Sequence, residues 1–213
     1  MDNGIRAIIF DLDGVICRTD RYHYLAWKAL ADKLGIPFDE EVNQRLRGVS
    51  RRESLEIVLG ERGGAYSEAE KLAMTEEKNA VYKTYLAAMT PEDLSPETLA
   101  VLRALRRRGY LLAIGSSSRN ARQILERLGL GDFFDAVADG TQIARSKPDP
   151  EVFLLAASLL GVRPARAAVV EDGESGVRAA VAGGFRVIGL CSAGHDPGGE
   201  ISVEGLSRLL DIF

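Results

Sequence analysis

Short apolar runs that alternate with helical patterns constrain the fold of this chain more than any other feature. The runs are rich in Ile, Val, Leu and Ala, and they lie at Ile5–Phe10, Tyr110–Gly115, Ala136–Ala138, Ala167–Val170 and Val187–Leu190. Runs of this kind are typical of strands that are buried on both faces of a sheet. Strand and helix in alternation predict right-handed βαβ units, and therefore an α/β fold whose core is a doubly wound, Rossmann-like parallel sheet.

Helical patterns fill the gaps between these runs. One helix is predicted to begin at Ser95, with Ser95 as the N-cap and Pro96 in the first turn, and to end at Gly109. The other helices between successive strands are predicted at Asn120–Leu128, Pro150–Leu160 and Ser175–Ala182.

The alternation breaks between the first and second runs, where about 90 residues contain no convincing strand. A helix is predicted at Asp20–Leu34, and the sequences from Ser50 to Glu53 and from Ser67 to Glu70 are typical of capping boxes. We expect an all-helical cap domain at residues 17–91, inserted into a core made of residues 1–16 and 92–213. Since ligands of open α/β sheets bind beyond the carboxyl ends of the strands, this helical insertion should cover the site as a lid.

Composition and charge exclude several classes of protein. Apolar residues make up 46% of the chain and charged residues 27%, which is ordinary for a folded globular protein and excludes a disordered one. A net charge of −4 and a pI near 5.4 argue against a nucleic-acid partner. An anionic substrate must then be attracted by locally placed cations or by a metal ion.

The cysteines and the N-terminus indicate an intracellular protein rather than a secreted or membrane protein. Cys17 and Cys191 lie far apart and neither has a CxxC partner, so we expect two reduced thiols and no disulfide. The N-terminal residues are unlike a signal peptide, and no apolar run approaches the ~20 residues that span a bilayer. We expect a cytoplasmic protein without a membrane partner.

Polar side chains follow four of the predicted strands, at the point where each strand ends. They are Asp11 and Asp13, then Ser116, Ser117 and Ser118, then Lys147, and finally Glu171 and Asp172. Taken singly, each has another interpretation: a turn, a helix N-cap or a solvated loop lysine. A calcium loop starting at Asp11 is excluded, because its sixth and twelfth positions hold Ile16 and Tyr22 instead of Gly and Glu. Their convergence on one sheet edge favours a functional site over all of these.

The charges at this edge indicate phosphoryl transfer. Crowded carboxylates repel each other by roughly 4 kcal/mol per pair at 4 Å and an effective dielectric constant near 20. A hard cation such as Mg²⁺ offsets that repulsion, and Lys147 together with a serine hydroxyl would hold a phosphate. One aspartate can then act as nucleophile and form an aspartyl phosphate, while the other serves as general acid and base.

Four motifs in this order resemble those of the haloacid dehalogenase (HAD) superfamily of phosphotransferases. They read DLDGV from Asp11, GSSSRN from Gly115, SKPDP from Ser146 and VVEDGESG from Val169. Within the superfamily the chain is similar to the β-phosphoglucomutase family, also through LRGVSRRESL and EKNAVY in the helical insertion. The resemblance implies that Asp11 is the phosphorylated nucleophile, that Asp13 is the general acid and base, and that Ser116 and Lys147 hold the transferring phosphate.

The resemblance also implies a metal site and a substrate site. The ligands of Mg²⁺ would be Asp11, the backbone carbonyl of Asp13 and Asp172, with Glu171 beside them. The substrate-binding residues would be Thr19, His23, Trp27, Gly48, Val49, Arg51, Ser54, Lys78, Ser117, Ser118, Arg119 and Asn120. Among these, Arg51 would hold the phosphate that is not transferred, with Ser118 and Asn120. Arg119 stands where the family usually has lysine, and its geometry toward a phosphate differs.

Some of the residues in the helical insertion have a structural alternative. Trp27 lies in an apolar stripe at helical spacing and could be a core residue. Lys78 could lie on a solvated face, and Ser50 could serve only as a cap. His195 is assigned no role.

The resemblance implies an Mg²⁺-dependent β-phosphoglucomutase that acts on a sugar phosphate and is expected to be a monomer. It would interconvert β-D-glucose 1-phosphate and glucose 6-phosphate, with glucose 1,6-bisphosphate as intermediate and activator. The alternatives are a sugar-phosphate phosphatase, in which water attacks the aspartyl phosphate, and a non-catalytic sugar-phosphate sensor. Arg51 favours the mutase, because a mutase needs a second phosphate site. Dehalogenation is disfavoured, since that chemistry in this superfamily does without Asp13 and the metal.

Overall fold

The computed structural model describes residues 4–46, 49–191 and 195–213. Its core is a six-stranded sheet in which every neighbouring pair is parallel, in the order β3-β2-β1-β4-β5-β6. The strands are β1 Ala7–Phe10, β2 Leu111–Gly115, β3 Ala136–Ala138, β4 Ala167–Glu171, β5 Arg186–Leu190 and β6 Ile201–Val203. The doubly wound parallel sheet is confirmed. The strand order reverses at β1, which lies between β2 and β4, and such a reversal opens a crevice at the carboxyl ends of the strands.

Helices occupy both faces of the sheet and the whole helical insertion. They are α1 Asp20–Lys33, α2 Glu40–Gln44, α3 Arg51–Leu59, α4 Glu68–Ala87, α5 Pro96–Arg107, α6 Ala121–Arg127, α7 Glu151–Leu159, α8 Glu174–Ala182 and α9 Leu209–Ile212. The predicted helices α1, α6, α7 and α8 agree with these bounds to about one residue at each end, which is the usual uncertainty of helix termini. No helix of the described residues is both long and apolar enough to cross a membrane.

Capping side chains explain where the helices of the insertion begin. Both predicted capping boxes are present: the Ser50 hydroxyl accepts from the Glu53 amide, and the Ser67 hydroxyl accepts from the Glu70 amide. Such caps typically stabilise a helix by about 1 kcal/mol. Ser95 is confirmed as the N-cap residue of α5, although its side chain makes no capping hydrogen bond. Pro96, the first residue of that helix, has no N–H that needs an acceptor.

The core lies on both sides of β1. Ile8 and Phe10 belong to the hydrophobic cluster on one face, and Ala7 and Ile9 to the cluster on the other. All four are fully buried, as the alternation of side chains along a strand requires when both faces are covered. Packing on both faces therefore fixes the position of β1, and with it the position of Asp11, which follows directly.

The helical insertion has a hydrophobic cluster of its own. Its buried members are Trp27, Leu30, Ala31, Phe38, Leu46, Leu55, Val58 and Leu59, contributed by α1, α3 and the loops between them. This separate cluster is consistent with a cap domain at residues 17–91, and the domain boundaries remain predictions. Cys17 and Cys191 are free thiols, as expected.

Candidate active site

A cavity of about 360 Å³ lies between the carboxyl edge of the sheet and the helical insertion. The residues that follow β1, β2 and β4 line it from the sheet side, while α1, α3 and α4 line it from the other. Of the predicted site residues, the lining contains Asp11, Asp13, His23, Trp27, Val49, Arg51, Ser54, Lys78, Ser116, Ser117, Ser118, Arg119, Asn120, Lys147, Glu171 and Asp172. The polar groups of separate strands thus meet in one place, and their individual roles remain predictions.

Two predicted site residues are not part of this lining. Thr19 is fully buried, and its hydroxyl donates a hydrogen bond to the Asp13 carboxylate. It therefore acts on the cavity through Asp13. Gly48 lies outside the described residues.

Lys147 is the cation at the centre of the sheet edge. Its Nζ donates to the Asp11 carboxylate and to Glu171 Oε2, the latter at 2.7 Å, and it lies 4.6 Å from the centre of the Phe153 ring. Burial alone would lower the pKa of Lys147, but the charges of Asp11 and Glu171 and the hydrogen bonds to them outweigh burial and raise it. Lys147 therefore stays charged and neutralises part of the carboxylate repulsion.

Three carboxylates form a group that fits a divalent cation. Oxygens of Asp11, Glu171 and Asp172 all lie within 4.8 Å of one another, and all three residues are buried. Carboxylate oxygens gathered at this spacing are the donors that a hard cation such as Mg²⁺ prefers. Gly14 makes room for the group, because a Cβ at that position would lie 2.0 Å from an Asp172 oxygen. The carboxylate of Asp13 is not part of the group, and its backbone carbonyl remains only a predicted ligand.

Glu171 is held in place by its own loop. Its Oε1 accepts hydrogen bonds from the backbone amides of Asp172 and Gly173, at 3.1 and 3.0 Å. Burial, and then repulsion from Asp11, raise the pKa of Glu171 to about 7, although Lys147 opposes the shift. A cation bound at this group would therefore compete with protons near neutral pH.

Asp13 has the environment of a proton carrier. Burial, and then repulsion from Asp11, raise its pKa from 3.8 to about 7, while the hydrogen bond from Thr19 partly offsets the shift. A carboxyl whose pKa lies near neutrality can both donate and accept a proton at the operating pH.

The serine loop after β2 places several hydroxyls in the cavity. Ser116 is buried, and its hydroxyl accepts from the Ser118 amide at 3.1 Å. The Ser118 hydroxyl in turn accepts from the Asn120 amide at 3.2 Å. The Ser117 hydroxyl is buried and has no hydrogen-bond partner among the described residues. These hydroxyls still have protons to donate, which suits the binding of an anion.

The opposite wall of the cavity holds a buried amine. Lys78 Nζ lies 3.0 Å from His23 Nδ1, 5.0 Å from the centre of the Trp27 ring and 4.7 Å from that of Tyr82. Lys78 is only 2% exposed, so the alternative of a solvated face is wrong. Trp27 both packs in the cluster of the insertion and lines the cavity. Burial, and then the charge of Arg51, lower the pKa of Lys78 to about 7, and burial lowers that of His23 as well.

Lys78→Met is expected to stabilise the protein. The pKa of Lys78 is about 7 in the folded chain and ordinarily 10.5, so folding is penalised at every pH below about 10. The penalty grows as the pH falls from about 10 to 7, and it is constant below that because Lys78 is then charged in both states. The substitution should raise the free energy of unfolding by about 2–4 kcal/mol near pH 7 and by less near pH 9, as measured by urea denaturation.

Lys71→Met is the matched control for this experiment. Lys71 is also buried on α4, but its Nζ pairs with Glu56 at 3.0 Å. Its removal should leave the free energy of unfolding unchanged or lower it, because a carboxylate loses its partner. A Lys78→Met protein that is less stable than the wild type at both pH values would contradict the account of a penalised buried amine.

The comparison with protein families decides the assignment. The family model described as haloacid dehalogenase-like hydrolase matches residues 5–184, from two residues before β1 to two residues after α8. The chain belongs to the haloacid dehalogenase-like hydrolase family. This confirms the family predicted from the four motifs.

The individual relatives of this chain include both β-phosphoglucomutases and a phosphatase. The Beta-phosphoglucomutase of Bacillus subtilis is 42% identical over 207 residues, which cover 96% of this chain and 92% of that protein. The Phosphorylated carbohydrates phosphatase of Thermotoga maritima is 33% identical, covering 90% and 88% of the two chains. Among solved structures, the Beta-phosphoglucomutase of Clostridium difficile matches with a TM-score of 0.91 and 36% identity, covering 96% and 93%. The chain is thus a homologue of the β-phosphoglucomutases and, as predicted, an enzyme of the superfamily.

Sequence reasoning missed several residues of this haloacid dehalogenase-like hydrolase that line the cavity from α4. They are Leu72, Thr75, Glu76, Asn79 and Tyr82. Asn79 joins the insertion to the core, because its side-chain oxygen accepts from Asn120 Nδ2 at 3.0 Å and both residues are buried. Spacings of three and four residues place most of this set on one face of α4. Once Lys78 is assigned to the cavity, this helical periodicity predicts that these residues of α4 also line it.

Proposed function

We propose that this protein is an Mg²⁺-dependent β-phosphoglucomutase. It interconverts β-D-glucose 1-phosphate and glucose 6-phosphate through an aspartyl phosphate and glucose 1,6-bisphosphate. The observation that carries the proposal is that Arg51, from the helical insertion, lines the same cavity as Asp11 and Lys147 at the sheet edge. A cavity with a cationic group at each end suits a substrate that carries a phosphate at each end. The identity of 42% to the Bacillus subtilis enzyme supports the same substrate class.

The sheet edge performs the transfer of the phosphoryl group. An oxygen of Asp11 attacks phosphorus, and the bond from phosphorus to the sugar oxygen breaks as the aspartyl phosphate forms. Lys147 and the Ser116 hydroxyl hold the phosphoryl oxygens during transfer. Asp13 donates its proton to the departing sugar oxygen, and in the second half-reaction it takes the proton from the sugar hydroxyl that attacks the aspartyl phosphate.

The carboxylates of Asp11, Glu171 and Asp172, with the backbone carbonyl of Asp13, would hold Mg²⁺. When bound, Mg²⁺ neutralises negative charge on the phosphoryl group and on the carboxylate that it approaches. Because Gly14 has no Cβ, the Asp172 carboxylate has room to join this group.

The helical insertion binds the rest of the substrate. Arg51 holds the phosphate that is not transferred, together with Ser118 and Asn120, and Arg119 adds a second guanidinium at that end. His23, Trp27, Val49, Ser54 and Lys78 line the sugar pocket, and a substrate-binding role for Gly48 stays a prediction from the sequence. With substrate bound between them, the core and the insertion would limit the access of water, which favours attack by a sugar hydroxyl over hydrolysis.

Arg51→Ala should lower mutase activity without an equal loss of acetyl phosphate hydrolysis. The variant is expected to lose mutase activity on β-glucose 1-phosphate by on the order of 10²-fold, because a charged pair with phosphate is lost. Hydrolysis of acetyl phosphate should change by less than about threefold, since that small substrate needs only the sheet edge. The measurement is a coupled assay for glucose 6-phosphate with Mg²⁺ and a trace of glucose 1,6-bisphosphate, beside an assay of acetyl phosphate consumption.

Arg45→Ala is the matched control, because Arg45 is exposed, lies directly after α2 and is not part of the cavity lining. Both of its activities should equal those of the wild type. If both activities of Arg51→Ala fall together, or if the wild type releases only inorganic phosphate from β-glucose 1-phosphate, the mutase proposal is wrong. Running α-glucose 1-phosphate in parallel tests the anomer.

A sugar-phosphate phosphatase is the second candidate, favoured by the identity of 33% to the Thermotoga maritima phosphatase. It shares every step up to the aspartyl phosphate and differs in that water attacks next. The ratio of inorganic phosphate released to glucose 6-phosphate formed separates the two. A non-catalytic sensor would show no metal-dependent turnover of p-nitrophenyl phosphate.

A further inference from the structure

The carboxylates that line the cavity gather at the sheet edge, around Asp11 and its partner Lys147. Away from that edge the cavity is lined by the guanidinium group of Arg51, and Arg119 lies close enough to act on its charge. One carboxylate lies away from the sheet edge, because Glu76 of α4 also lines the cavity and pairs with Arg51. A carboxylate beside the guanidinium of an anion-binding cavity calls for a physical explanation.

The geometry shows that Glu76 and Arg51 have different environments. Glu76 Oε1 lies 3.3 Å from Arg51 Nη1, and the Glu76 side chain is 62% exposed whereas that of Arg51 is 21% exposed. Burial lowers the pKa of Arg51, and the charge of Glu76 opposes that shift. The carboxylate is thus the exposed partner of a guanidinium that is largely enclosed.

Glu77, the next residue along α4, does not line the cavity. Its Oε1 lies 2.7 Å from Nζ of Lys33, on α1. Two adjacent glutamates on α4 therefore have different surroundings. Of the two, only Glu76 pairs with a cation that lines the cavity.

We propose that Glu76 occupies the Arg51 guanidinium when the cavity is free of ligand, that a substrate phosphate displaces it, and that Glu76 thereby sets the affinity of the second phosphate site. This inference rests on the proposed function, in which Arg51 holds the phosphate that is not transferred. Carboxylate and phosphate both accept hydrogen bonds from the guanidinium fork, and two anions on one cation repel each other. An exposed carboxylate is hydrated by water when it leaves, so displacement costs little.

The competition suits a mutase in particular. A bisphosphate intermediate has to leave one orientation and bind again in the other, which requires that Arg51 release its phosphate. A carboxylate that returns to Arg51 stabilises the empty site and so favours release. Glu76 is in this sense a residue that tunes affinity, and it takes no part in the bond changes at phosphorus.

The test is the binding of glucose 6-phosphate to the unphosphorylated, Mg²⁺-loaded protein, measured by isothermal titration calorimetry. Glu76→Gln should bind about three- to fivefold more tightly than the wild type, because the competing charge is gone. The matched control Glu77→Gln should bind as the wild type does. The difference between Glu76→Gln and the wild type should shrink as salt is raised, as expected for an exposed pair.

A double substitution makes the inference specific to Arg51. In an Arg51→Ala background, Glu76→Gln should produce no gain in affinity, because there is no guanidinium left to compete for. Unchanged or weaker binding by Glu76→Gln, or an equal gain in the Arg51→Ala background, would overturn the inference while leaving the proposed function in place. If Arg51→Ala alone binds glucose 6-phosphate as tightly as the wild type, the second phosphate site itself is wrong, and the proposed function fails with it.

Discussion

Asp11→Asn is expected to lower the turnover of every phosphate substrate by at least about 10³-fold, because it removes the nucleophile. Asp11 follows β1 directly, and its carboxylate receives a hydrogen bond from Lys147 and lies within the three-carboxylate group. An amide is a poor nucleophile and carries no charge, so it neither attacks phosphorus nor completes the metal site. Acetyl phosphate, p-nitrophenyl phosphate and β-glucose 1-phosphate should all be affected, in steady-state assays with Mg²⁺.

The matched control is Asp211→Asn, which makes the same chemical change at an exposed position of α9 whose partner is the equally exposed Arg208. It should retain full activity, since exposed pairs contribute little. An Asp11→Asn protein that keeps a tenth or more of wild-type turnover would show that another group accepts the phosphoryl moiety.

Lys147→Met is expected to combine a loss of activity with a large loss of stability. Its ammonium group pairs with two buried carboxylates, those of Asp11 and Glu171. Removing one partner of a buried ionic cluster leaves uncompensated charge and typically costs about 3–5 kcal/mol of unfolding free energy. Turnover of acetyl phosphate should also fall, by on the order of 10²-fold, because a cation that holds the phosphoryl oxygens is lost. Urea denaturation of the metal-free protein measures the stability.

The loss of unfolding free energy in Lys147→Met should increase with pH. The pKa of Glu171 is raised to about 7 in the folded chain, so its carboxyl costs stability progressively as the pH rises from about 4.5 through 7. Without Lys147 that pKa rises further, and the penalty extends to higher pH. The Lys147→Met protein should therefore lose more stability near pH 8 than near pH 5.5.

Lys28→Met serves as the control for Lys147→Met. Lys28 forms an exposed pair with Asp32 at 2.9 Å, and its loss should leave the free energy of unfolding nearly unchanged. Equal effects of the two substitutions, or a loss for Lys147→Met that does not depend on pH, would contradict the assigned ionic cluster.

The sheet edge could be predicted from sequence because it depends on one simple rule. Residues that follow parallel strands come together whatever the details of packing, and so Asp11, Ser116 and Asp172 were found from the strand ends alone. Lys147 was placed in the same way, and its contact with Asp11 across 136 residues is the expected result. Strand β6 was missed because its three residues include the exposed Ser202 and carry almost no apolar pattern.

The opposite wall of the cavity could not be predicted in this way. The position of Lys78 against His23 depends on how α1 packs against α4, across 55 residues of sequence, and no local pattern encodes that packing. The resemblance to a family implied that both residues bind substrate, but it did not indicate that the amine is buried beside two aromatic rings. The Arg51–Glu76 pair joins α3 to α4 across 25 residues and was missed for the same reason.

The central claim is that Asp11 accepts a phosphoryl group, and the most direct test is to locate that group on the protein. The Mg²⁺-loaded wild type is mixed with acetyl phosphate, quenched in acid, digested with pepsin and analysed by mass spectrometry. The account predicts one phosphorylated peptide, with the modification on Asp11 and removed by hydroxylamine as expected for an acyl phosphate. A phosphoryl group on Ser116, Ser117 or His23, or steady turnover without any group on Asp11, would contradict it.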